Sequence, residues 1–139
     1  MLFVTKRLSF CAAHRLFNPA LNDEENAKLF GKCSFPGGHG HNYTLEVTVC
    51  GDVDKETGMI IDVKVLKGII ECEVISKLDH KNLNTDVAFL KDTILFVENM
   101  VMKIWEILNE KIDKGRLYEV KLFETKDNAA IYRIDHGKI

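Results

Sequence analysis

Two histidines separated by one residue, His39 and His41, share a face of any strand that carries them, roughly 7 Å apart along it. Such a pair either grips one metal ion with both rings or opens a strand as a polar turn. His14 shifts the balance, because it ends an apolar run and meets the start of the His39 segment if the two pair as an antiparallel hairpin. Three neutral imidazoles with a fourth position open describe a catalytic zinc site rather than a closed structural one. Cys33, six residues before His39, lies in a segment expected to fold back towards the metal. There a nearby cation would lower its thiol pKa and fit it as a general base, although a free cysteine also serves well as a small buried hydrophobe. Cys11, Cys50 and Cys72 are read in that second way.

Asp79 and His80 are adjacent, so the carboxylate can orient the imidazole and bias its tautomer, although such neighbours also arise by chance. Glu124 continues the parity of Tyr118, Val120 and Leu122. A carboxylate on that apolar side is costly without a partner, so either it binds something or the strand bends. Two acceptor oxygens suit the amino group and ring N–H of a guanidine-like heterocycle such as a pterin.

The elements that must position these residues follow from periodicity. Residues 2 to 14 alternate as a strand, with Leu2, Val4, Leu8, Phe10, Ala12 and His14 on one parity. Residues 15 to 38 lack sustained alternation and read as a long excursion with room for a helical turn. A second strand runs from His39 to Cys50. Asp62 is the expected N-cap of a helix carrying Leu66, Ile69, Ile70 and Val74. Ile94, Val97, Val101, Ile104, Trp105 and Leu108 mark a second, longer helix. Short alternating runs at 117–125 and 129–134 flank Lys126-Asp127-Asn128, which is hairpin chemistry. The expectation is one α+β domain over residues 1–139, a four-stranded antiparallel sheet with two helices on one face.

Composition bounds the function. Nineteen Lys and Arg against 21 Asp and Glu leave a formal charge of -2, so no overall basic field advertises nucleic acid or an anionic membrane. No apolar run approaches ~18 residues, and no charged segment precedes a signal-like stretch. Four scattered cysteines without a CxxC pair fit a reducing compartment, so a cytoplasmic location is expected.

Taken together, Phe10-Cys11-Ala12-Ala13-His14-Arg15-Leu16, Asn22-Asp23-Glu24-Glu25-Asn26, Gly31-Lys32-Cys33, Gly38-His39-Gly40-His41-Asn42-Tyr43, Leu78-Asp79-His80-Lys81-Asn82-Leu83 and Phe123-Glu124-Thr125 resemble the 6-pyruvoyltetrahydropterin synthase family over nearly the whole chain. The resemblance implies zinc on His14, His39 and His41, and Cys33 as the proton-abstracting base. It further implies Asp79 and His80 as proton-handling partners and Glu124 as the pterin anchor. With these come the tunnelling fold, whose subunits join sheets into a barrel, commonly as a homohexamer with sites at subunit boundaries. The implied lyase reaction, a step of tetrahydrobiopterin biosynthesis, converts 7,8-dihydroneopterin triphosphate to 6-pyruvoyltetrahydropterin. Triphosphate is lost, no nicotinamide is used, and magnesium is an added expectation for triphosphate departure.

One segment departs from the family. Leu95-Phe96-Val97 stands where most relatives carry small hydroxyl residues before Glu98-Asn99, so a capping box is lost there and the helix is expected to start earlier, at Asp92 or Thr93. The nearest alternative is a 6-carboxytetrahydropterin synthase of deazapurine biosynthesis, whose reactive cysteine usually sits four residues before the first histidine of the pair; here that position is Phe35. A non-catalytic zinc- or pterin-binding module is the alternative from another class.

Overall fold

A computed structural model describes residues 1–134; the last five residues of the expected domain lie outside the described residues. Strand β1 (Leu2–His14) pairs antiparallel with β2 (His39–Gly51) along its full length, from Leu2 opposite Gly51 to His14 opposite His39. Strands β4 (Arg116–Phe123) and β5 (Ala129–Arg133) form the closing hairpin, and β4 also pairs with β2. The four expected strands are therefore present, and the sheet adds a fifth. Strand β3 (Lys81–Asn82) lies parallel to β1 at Ala12 and Ala13, giving the order β3-β1-β2-β4-β5.

Helix α1 (Asp23–Phe30) lies within the excursion, where no helix longer than a turn was expected. Its apolar periodicity is poor; its N-terminus holds it instead. Asn22 accepts from the Glu25 amide while the Glu25 carboxylate accepts from the Asn22 amide, a reciprocal capping box. Buried Asn26 then donates to the carbonyls of Asn18, Leu21 and Asn22. Helix α2 (Val63–Ile70) is capped by Asp62 as expected, runs through a π turn (Glu71–Ile75), and ends in the short α3 (Ser76–Leu78).

Helix α4 (Val97–Lys111) buries Val97, Met100, Val101, Ile104 and Leu108 against the sheet. It does not begin at Asp92 or Thr93. Asp92 takes a φ of 61°, which ends any right-handed helical run, and the first turn starts after Phe96 with no side-chain cap. Helices α2, α3 and α4 pack on the sheet, and the buried side chains between the layers, including Phe10, Tyr43, Leu45, Leu66, Ile70, Ile104 and Leu122, form one core. Among the described residues no helix is long and apolar enough to cross a membrane.

Candidate active site

The full-length β1–β2 register brings three histidines to one end of the sheet's covered face. His14 closes β1, His39 opens β2 directly opposite, and His41 faces Ala12. Their ring centroids form a near-equilateral triangle with sides of 4.7, 4.9 and 5.1 Å, and each pair stands edge to face. His14 Nε2 and His39 Nε2 are 3.1 Å apart, and one ring nitrogen from each histidine lies within 4.8 Å of the other two. The close approach depends on Gly38. Its φ of 70° favours glycine, and a Cβ there would lie 2.8 Å from the His14 carbonyl oxygen. Gly40, between the histidines, is not under that constraint, since a Cβ there would meet only ordinary contact.

Surrounding groups fix the state of the cluster. His14 is 1% exposed. Burial first, then the neighbouring His39 and His41, lower its pKa from 6.5 to about 4, against the opposing effect of a hydrogen bond that the Leu95 carbonyl accepts. A neutral ring that donates from Nδ1 to the Leu95 oxygen, 3.2 Å away, presents the Nε2 lone pair to the cluster. Burial also lowers the His41 pKa, and His39 adds to this, while Glu124 opposes it. Tyr43, fully buried beneath the rings with its hydroxyl 3.4 Å from His14 Nδ1, has its pKa pushed far above the usual range by burial and then by Glu124, so it stays a neutral phenol.

Glu124 Oε1 comes within 3.3 Å of His41 Nε2, the two side chains being 22% and 18% exposed. Nevertheless that nitrogen makes no aligned hydrogen bond, which leaves it a buried polar atom without a partner. The contact is one of proximity. An orphaned nitrogen, two further convergent imidazoles and a carboxylate beside them fit a divalent cation with tetrahedral preference.

Glu124 itself sits one residue past the end of β4, where its amide donates to the Asn128 carbonyl to close the turn. The Thr125 hydroxyl accepts from the amides of Asp127 and Asn128 within that turn.

Cys33 lies in a 3₁₀ turn (Gly31–Ser34) that folds back beside the end of β1, where its carbonyl accepts from the Leu16 amide. The thiol is half-buried and belongs to neither of the convergent side-chain groups found among the described residues. Asp79 and His80 form the other group, and the thiol that joins them is Cys11. Asp79 Oδ1 lies 3.0 Å from His80 Nδ1 and accepts from the Cys11 amide at 3.0 Å. That amide bond leads the causes that lower the Asp79 pKa, and His80 contributes further. Cys11 is therefore not the plain buried hydrophobe its sequence context implies. Strand parity could have put it on the face opposite His14, but nothing in the pattern announced that the 79–82 segment lands there. Cys72, read in the same way, is exposed, whereas Cys50 is buried as expected.

The 6-pyruvoyl tetrahydropterin synthase family model matches residues 3–135. The chain is 48% identical over 130 residues to a 6-pyruvoyl tetrahydrobiopterin synthase of Pongo abelii, covering 94% of this chain and 90% of that one. It is 46% identical to the Homo sapiens protein of the same name, with the same coverage. The solved structure of Caenorhabditis elegans 6-pyruvoyl tetrahydropterin synthase superposes with a TM-score of 0.90 at 38% identity, covering 96% of both chains.

Proposed function

This chain belongs to the 6-pyruvoyl tetrahydropterin synthase family, and from that premise we propose that it is a zinc-dependent lyase converting 7,8-dihydroneopterin triphosphate to 6-pyruvoyltetrahydropterin. The observation that carries the proposal is the cluster of His14, His39 and His41 with its unpartnered His41 nitrogen. These three residues would hold the zinc, which when bound polarises the substrate's side-chain oxygens and acidifies the adjoining C–H bond. Glu124, beside His41, would accept hydrogen bonds from the pterin amino group and ring N–H, and so aim the side chain at the cluster.

The proton is assigned to Cys33 as the accepting thiolate and to the Asp79–His80 pair as the group that returns it. Asp79 would hold His80 with Nδ1 protonated, leaving Nε2 to exchange the proton. Cys33 stands apart from that pair within one chain, which fits a site completed by a neighbouring copy. Two open sheet edges support such an assembly: among the described residues β5 pairs only with β4, and β3 covers β1 only at Ala12 and Ala13. Incubation with 7,8-dihydroneopterin triphosphate should release triphosphate and yield the pyruvoyl product. Release of acetaldehyde would instead identify a carboxytetrahydropterin synthase, and absence of turnover by zinc-loaded protein would leave a binding module.

A further inference from the structure

We propose that Cys11, Asp79 and His80 form a second divalent-cation site, separate from the three-histidine cluster and suited to a thiophilic ion such as zinc. One donor atom from each of the three residues lies within 4.8 Å of the other two. Sulfur, imidazole nitrogen and carboxylate oxygen together form a donor set that favours zinc or cobalt over magnesium or calcium. Cys11 and His14 differ by an odd number of positions on β1, so the two sites occupy opposite faces of the sheet.

The backbone preorganises the donors. The Cys11 carbonyl accepts from the His80 amide at 2.6 Å, the Cys11 amide donates to Asp79 Oδ1, and β3 continues the pairing at Ala12 and Ala13. His80 is held at a φ of 61°, a left-handed conformation uncommon for a residue other than glycine. Asp79 Oδ1 and His80 Nδ1, 3.0 Å apart, are the pair an ion would bridge in place of their shared proton, while the Cys11 amide keeps Oδ1 in position. The ion has room to enter. Cys11 and His80 line an open cavity of about 530 Å³ that Ala13, Gly40, His41 and Asn42 also line, and the His80 side chain is 79% exposed. Binding replaces the Cys11 thiol proton with the metal and releases that proton to solvent. An ion here occupies the Asp79–His80 pair, so excess zinc should inhibit whatever chemistry that pair performs.

Cobalt(II) titration of the full metal-stripped chain tests this. The parent should bind two equivalents, one of them giving a near-ultraviolet thiolate-to-cobalt charge-transfer band. Cys11→Ser should lose that band and one equivalent while keeping the visible band of the histidine site, which also reports that the variant is folded. Cys33→Ser should keep both. His39→Ala should lose the histidine equivalent and retain the thiolate band, so failure of one site is distinguishable from failure of the other. Zinc beyond one equivalent should also slow alkylation of Cys11 in the parent. A single equivalent in the parent, a thiolate band that survives Cys11→Ser, or Cys11 alkylation indifferent to the second equivalent would each overturn the proposal.

Discussion

At the scale of residues, the end of the covered face holds neutral nitrogens in place at a cost. In the metal-free chain His14 titrates near pH 4, below the 6.5 of an unfolded histidine, so the unfolded state takes up a proton that the folded state refuses. Stability is therefore whole above pH 6.5 and declines as pH falls towards 4, by at most about 3 kcal/mol from this group. Urea midpoints of chelator-treated protein should fall between pH 7 and pH 5; a flat profile would mean that His14 is not buried neutral. Glu124 offers a second measurement. Glutamine in its place keeps the size but removes the charge and one acceptor, so pterin affinity should weaken by roughly 1.5 to 3 kcal/mol. Calorimetry with a pterin ligand reads this, zinc content serving as the control, and unchanged affinity would move the ring's anchor elsewhere. The three histidines were legible because strand parity and an antiparallel hairpin determine where His14 and His39 meet. Cys11 was not, since parity tells which face a side chain takes and is silent on what a distant segment lays against it.

At the scale of elements, strong periodicity found β1, β2, α2, α4 and the closing hairpin. Their patterns are those of surfaces half covered by a core, which is the signal alternation carries. The elements it missed are held by something else. Helix α1 rests on a capping box and a buried asparagine, and β3 is a two-residue strand whose pairing to β1 spans some seventy positions. The start of α4 was misplaced because Asp92, read as a cap, adopts the left-handed conformation. Gly38 is where local geometry and the site are most tightly coupled. Alanine there should cost about 1 to 2 kcal/mol for the positive φ alone, with more from its contact with the His14 carbonyl, and should lower zinc content as the strand ends part. Gly37→Ala, which has open space around its Cβ, is the matched control. If both variants hold zinc equally, the tight approach is not what sets the histidine triangle.

At the scale of the whole molecule, the sheet has two edges, β3–β1 and β5, that no further strand covers among the described residues. Ile134 donates to the Tyr118 carbonyl and Glu124 to that of Asn128, so by the alternation of an antiparallel ladder the Ile131 amide faces outward from β5. Ile131→Pro should remove one outward donor and leave the β4–β5 ladder intact. If copies join through this edge, the parent should sediment as a multiple of the 15.8 kDa chain and the variant as a smaller species at the same concentration. Equal sedimentation would place the contacts elsewhere. The long bare flank of β1 has a further consequence, in time rather than in space. A newly made chain carries a ready template for strand pairing from the moment β1 and β2 close, so the correct partner and an off-register one compete for it. If copies pair along this flank, productive maturation is second order in chain, and refolding yield should pass through a maximum with concentration. Too few chains leave the flank waiting, and too many let the wrong pairing arrive first.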